Sequence, residues 1–180
     1  MITPDDKDWT WVLDRRCPEC GFDATACRAV DVAAIVRANA VEWSRILAEP
    51  ASSVAVRPDD ATWSALEYGC HVRDVYRIYH RRIHRMLVED DPQYANWDQD
   101  ATAADDRYHE QEPAVVASEL VDAASLLADR LDLVHGDEWD RTGRRSDGAV
   151  FTVDTISRYM VHDTIHHIWD VTLHARDVSG

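Results

Sequence analysis

His162 and His166 lie one helical turn apart near the C-terminus, and a third histidine, His71, stands far upstream in an otherwise ordinary helical stretch. An i, i+4 pair puts two imidazoles on one helix face, within reach of a single ion. A ligand from a second helix would complete a facial three-histidine set and leave positions open for water and substrate. Buried neutral imidazoles each need a partner, and a divalent cation that takes one nitrogen from each would organise all three. The other ring nitrogen then favours a carboxylate, and Asp74, Asp163 and Asp170 are near enough in sequence to serve. For the His-x-x-x-His pair alone, two core histidines satisfied by backbone, with His71 a bystander, is the competing reading.

Other histidines fit less well. His80 and His84 repeat the spacing but stand among Arg81, Arg82 and Arg85, whose charge disfavours a cation, so they are assigned to a solvated face. His167 follows His162 by five residues, about 140° around a regular helix, and is expected to point elsewhere. His109, His135 and His174 are isolated. Among the cysteines, Cys17 and Cys20 form half of a zinc knuckle to which Cys27 could add a third ligand, with no obvious fourth. A redox pair, a partial zinc site and an inert turn all fit that segment. Cys70 adjoins His71 but diverges from it by about 100°, as expected of a small buried apolar residue.

These residues must be positioned by helices. Asp31 is a candidate N-cap for a first helix to about Glu49, with Val32, Val36, Trp43 and Leu47 at helical spacing and Asn39 facing inward. After a loop bracketed by Pro50 and Pro58, Thr62 caps a long second helix to about Val88, with His71 on the flank of its apolar face. Residues 89–112 are acidic and aperiodic, as in a crossover, a lid or a short helix without a clear pattern. Pro113 opens a third helix to about Val134. Trp139–Thr142 and Val150–Val153 flank a turn-rich Gly143–Gly148 and fit a small hairpin or a plain loop. The last helix runs from about Asp154 to Ala175, with Tyr159, His162, His166, Trp169 and Leu173 sharing one face. Four amphipathic helices without a convincing sheet make an all-α four-helix bundle over residues 31–180, with residues 1–30 as an irregular extension packed on it.

The chain of 180 residues is long enough to bury roughly two-thirds of its unfolded surface. With 19 basic and 34 acidic side chains its net charge is −15, which excludes nucleic acid and anionic membrane as partners and favours small neutral or cationic substrates. Residues 1–8 are acidic, without the basic start and apolar centre of a signal peptide, and no apolar run would span a bilayer, so a cytoplasmic protein with reduced cysteines is expected. Composition leaves a homodimer open.

The stretches 62–74 and 158–170, holding His71 and the pair His162 and His166, resemble helices two and four of the DinB/YfiT-like metal-binding bundles. That family includes mycothiol-dependent maleylpyruvate isomerases and bacillithiol S-transferases. The resemblance covers about residues 31–175 and implies an up-down-down-up bundle in which His71, His162 and His166 hold a divalent metal, zinc or nickel, at an open site. Residues 89–112 then supply the long crossover such a topology needs. The chain departs from the family where His167, Ile168, Trp169 and Asp170 replace a polar pair, and in its cysteine-bearing extension.

A cation held by neutral imidazoles lowers the pKa of a bound water or thiol. With water the protein would be a hydrolase; with a low-molecular-weight thiol, a transferase or isomerase. The resemblance, with a composition of one lysine, Lys7, against eighteen arginines, leans toward a mycothiol-type co-substrate. Asn39 and Glu42 are weak candidates for substrate contacts. A non-catalytic metal-binding bundle and an interaction module using Cys17 and Cys20 are the alternatives from other classes.

Overall fold

A computed structural model describes residues 9–177, with side chains as far as Thr172. The acidic stretch 1–8, with Lys7, lies outside the described residues, and Leu173 and His174 lie outside the described side chains. Four long helices carry the fold: α1 (Val32–Leu47), α3 (Ala65–Val88), α5 (Pro113–Asp132) and α6 (Val153–Asp177). Short helices α2 (Ala51–Val54) and α4 (Gln99–Asp105) lie in the connections.

The long helices form where apolar residues recur at helical spacing, and their ends are set by local chemistry. Ser64, two residues after the anticipated Thr62, caps α3: its hydroxyl accepts from the Glu67 amide at 3.2 Å, and the Glu67 carboxylate accepts from the Ser64 amide at 2.9 Å. Arg57 Nε donates to the same carboxylate at 2.8 Å. Asp31 precedes α1 without capping it, because its carboxylate takes the Arg28 guanidinium instead. Pro113 occupies the first turn of α5, where its missing N–H costs nothing. Trp43, Tyr76, Leu66, Ile83, Leu120, Leu127, Ile156 and Met160 are fully buried between the helices.

Side-chain pairs fix the helix directions. Arg77 meets Glu119 at 3.1 Å and His84 meets Arg130 at 3.0 Å, so α3 and α5 run parallel. Arg37, early in α1, reaches Asp129 and Asp132 at the end of α5, so those two are antiparallel. His71, early in α3, meets Asp163 and His167 well along α6, while the hairpin that feeds α6 packs on Met86 near the other end of α3. The order is therefore up-down-down-up. Parallel neighbours require the chain to return the length of the bundle, and residues 89–112 make that return through α4 and a turn of 3-10 helix at Tyr108–Glu110.

The hairpin forms: β2 (Thr142–Arg145) pairs antiparallel with β3 (Val150–Thr152), and β1 (Gln93–Tyr94), from the crossover, adds in parallel to β2. Gly143 is required where β2 crosses α3, since a Cβ there would sit 2.7 Å from Met86 Cγ. Among the described residues no helix is long and apolar enough to cross a membrane.

Candidate metal centre

Four histidines, His71, His162, His166 and His167, gather at the end of the bundle where α3 begins, and they divide into two groups. His71, Asp163 and His167 form one; Cys17, Cys20, His162 and His166 form the other, with the donor atoms of each group all within 4.8 Å of one another. The anticipated set of His71, His162 and His166 is thus split between them. Positions 162 and 166 lie on one face of α6 and positions 163 and 167 about 100° around the helix on the next. The second face turns toward α3 and the first toward the N-terminal segment.

In the first group His71 is deeply placed, and Asp163 and His167 are half-buried at the cavity wall. His71 is 1 % exposed, so it sits in the interior and not on the flank of α3. Neither of its ring nitrogens has a hydrogen-bond partner among the described residues, although Nε2 lies 3.4 Å from Asp163 Oδ2. Its ring stacks on Trp97 of the crossover, 5.0 Å between centroids at 6°, and meets His167 edge-on at 4.8 Å. His167 Nε2 lies 3.5 Å from Asp163 Oδ1, and His167 Nδ1 lies 2.9 Å from Asp170 Oδ2. Burial opposes charge on all three residues. It holds the His71 pKa down, but at His167 the carboxylates of Asp163 and Asp170 prevail and raise the pKa to about 10, while the imidazoles keep the Asp163 carboxyl well below its usual range. The carboxylates thus favour positive charge at His167, while burial disfavours it at His71.

In the second group, Cys17 Sγ lies 3.7 Å from His166 Nδ1. His162 is buried, its Nε2 has no hydrogen-bond partner among the described residues, and burial with the neighbouring His166 lowers its pKa to about 4. His166 Nε2 faces Glu19 Oε2 at 3.2 Å and Asp170 Oδ1 at 3.7 Å. Asp170 therefore touches one imidazole of each group. Cys27 stays outside, with its thiol directed at the Arg28 carbonyl.

The first group and the two imidazoles of the second border one cavity of about 1220 Å³, whose wall also includes Trp9, Trp63, Tyr68, Trp97, Arg145 and Tyr159. The remaining sequence candidates lie elsewhere. Asp74 is held by Arg73 at 2.9 Å, by Arg77 at 3.2 Å and by the Tyr108 hydroxyl at 2.6 Å, and supports no ligating imidazole. Asn39 donates to the Thr164 carbonyl at 3.0 Å and accepts from the Tyr76 hydroxyl at 2.6 Å, so it joins three helices away from the cavity. Glu42 pairs with Arg45 on the outer surface. Cys70 is buried, which pushes its thiol up to about 12 and leaves it inert. Of the arginine-flanked pair, His84 is solvent-exposed beside Arg130, whereas His80 is half-buried.

The model of the DinB superfamily matches residues 34–171. The chain belongs to the DinB superfamily. Among solved structures, this DinB-superfamily chain is similar to YfiT from Bacillus subtilis, described as a probable metal-dependent hydrolase with an unusual four-helix bundle topology. The two share 16% identity with a TM-score of 0.74, over 98% of this chain and 93% of YfiT, so the likeness is one of fold. No curated protein matches the sequence. The N-terminal segment that carries Cys17 and Cys20 precedes the residues the superfamily model matches.

His167 is the ligand candidate that helical periodicity passed over, and Asp163 entered only as a supporting carboxylate. Their signal was present as Asp-x-x-x-His, the same spacing as the histidine pair with a mixed donor set.

Proposed function

We propose that this protein is a metal-dependent hydrolase acting on a small molecule, its catalytic cation held by His71, Asp163 and His167. The observation that carries the reading is the buried His71 ring, whose nitrogens make no hydrogen bond among the described residues, set with Nε2 against the Asp163 carboxylate and beside a second imidazole at the wall of a large cavity. Two imidazoles and one carboxylate make a three-donor set that suits a divalent ion and leaves positions open. Zinc and nickel are the metals to test first. When bound, such a cation supplies Lewis-acid polarisation and lowers the pKa of a water.

The protein's own residues do the positioning. Asp170 accepts from His167 Nδ1, which fixes the tautomer and aims Nε2 toward Asp163. The Trp97 stack holds the His71 ring in one plane, and Trp63, centred 5.5 Å from it, helps keep bulk water away. Arg145, braced by Asp147 at 2.7 Å and lying over the Phe151 and Tyr159 rings, presents a guanidinium to the cavity. A substrate bearing a carboxylate or a polarised carbonyl can be oriented there.

A second reading, thiol transfer with a mycothiol-type co-substrate, is favoured by the cavity's size. At about 1220 Å³ it exceeds the usual 300–1,000 Å³ of a single-ligand pocket and has room for a bulky thiol beside its acceptor. Metal-loaded protein assayed on aryl esters and amides, and separately with mycothiol and an electrophilic acceptor, decides between the two. Turnover should vanish on chelation, return with added metal, and be absent in His71→Ala and His167→Ala. Turnover that survives chelation or both substitutions refutes the metal-dependent reading.

A further inference from the structure

We infer that Cys17, Cys20, His162 and His166 form a second, closed, tetrahedral zinc site that fastens the N-terminal segment to α6. The ligand spacing, Cys-x-x-Cys with His-x-x-x-His, is that of structural zinc sites, although here the two halves come from opposite ends of the chain. Zinc–sulfur and zinc–nitrogen bonds of about 2.3 and 2.05 Å at a tetrahedral angle place sulfur and nitrogen about 3.6 Å apart. Cys17 Sγ and His166 Nδ1 are 3.7 Å apart, and all four donors lie within 4.8 Å of one another. One pair thus stands at the bonded separation, and the others need to close by about 1.5 Å at most to reach a common ion.

Two further observations point to the same ligand. His162 is 4 % exposed and its Nε2 has no hydrogen-bond partner among the described residues, a buried polar atom in need of one. His166 presents Nδ1 to the thiol and its other nitrogen to Glu19, 3.2 Å away, the carboxylate–histidine arrangement that orients a ligating imidazole. The turn between the cysteines is preformed: the Cys17 amide donates to the Phe22 carbonyl at 2.8 Å, the Gly21 amide returns to the Cys17 carbonyl at 3.1 Å, and Gly21 has φ +76. Trp9 covers both imidazoles, with centroids 5.6 and 5.3 Å away.

Four protein donors fill a tetrahedral ion, so this site keeps no position for substrate and its role is structural. Binding converts two thiols to thiolates and releases two protons, giving a neutral complex. Its effect on function is indirect, because Trp9, Thr10 and Glu19 of the fastened segment line the cavity beside His71.

The test is cobalt substitution and metal analysis on the full chain prepared under reducing conditions. Wild-type protein should show thiolate-to-cobalt charge transfer and the intense visible bands of tetrahedral cobalt. Cys17→Ser/Cys20→Ser should lose those bands and about one equivalent of zinc. His71→Ala should keep both, and Cys27→Ser should match wild type. Absence of the charge-transfer band in cobalt-loaded wild-type protein overturns the inference, with no dependence on how any variant folds. So does a zinc content unchanged in the double cysteine variant, or a Cys17–Cys20 disulfide in protein isolated without oxidant. Because His71→Ala reports on the other group alone, failure of either site leaves a distinct record.

Discussion

Asp170→Asn tests whether one carboxylate serves two metal groups, and the structure sets the size of each effect. At His167 the carboxylate is the sole charged partner of Nδ1, 2.9 Å away, and Asn preserves its shape while removing its charge. A charge-assisted hydrogen bond contributes about 1.5–3 kcal/mol and a neutral one about 0.5–1.5. The difference, about 1–1.5 kcal/mol, corresponds to a five- to tenfold loss of affinity at His71, Asp163 and His167. At His166 the same carboxylate is 3.7 Å away and Glu19 stays at 3.2 Å, so the loss at the cysteine-containing group should be about twofold or less. Competition titration of zinc against a chelating dye, in wild-type and Cys17→Ser/Cys20→Ser backgrounds, separates the two affinities. Adding Glu19→Gln to Asp170→Asn should then weaken the cysteine group by about tenfold. Equal losses at both groups in the single variant, or none at the His71 group, would refute the assignment of Asp170 as a shared but unequal support.

Asn39→Ala should lower stability by about 2–3 kcal/mol, since it strands the buried Tyr76 hydroxyl, and metal content and turnover should be unchanged; urea unfolding and zinc analysis measure both. Glu67→Gln should cost about 1–2 kcal/mol through the Ser64 capping box and the Arg57 pair. Burial pushes the Glu67 carboxyl up, but Arg57 and the Ser64 amide outweigh it and ionisation falls below the ordinary 4.5. Its contribution is then complete above that pH and lost as pH falls through the lower folded value, so the gap in Tm between wild type and Glu67→Gln should close on acidification from about pH 5 to 3. Tyr108→Phe removes the 2.6 Å hydrogen bond to Asp74 and should cost about 1–2 kcal/mol by thermal unfolding. Chelation of the intact protein should expose residues 9–28 to proteolysis while the bundle resists, as gel mapping of the cleavage sites would show.

Helix positions were legible because long apolar stripes are local, and the four of them matched to within a few residues. At the start of α3, Thr62 and Ser64 are both capping residue types, and Glu67, three residues after Ser64, decides for Ser64 by closing the capping box. The site was legible in content and illegible in partition. His162–His166 and Asp163–His167 have the same spacing on adjacent faces of one helix. Which face meets α3 depends on packing that no local pattern records. The likeness of the two cysteines to a zinc knuckle was visible, but their partners lie at the far end of the chain, where spacing rules have no reach. Asn39 was read as inward and proved so; its partners, Tyr76 and Thr164, belong to helices brought together only by the bundle.

The parallel run of α3 and α5 obliges the backbone to double back along the outside of the molecule, and that overpass carries Trp97 onto His71. The roof over His71 and its cavity is thus a by-product of connectivity, strung between fixed piers at Val88 and Pro113. Tyr94 and Tyr108 of the same segment anchor it in the core, so its exposed positions around α4 are the ones that can be altered while the four rods keep their stacking. Such grafts would retune which molecules fit beneath it and spare the framework that holds the donors.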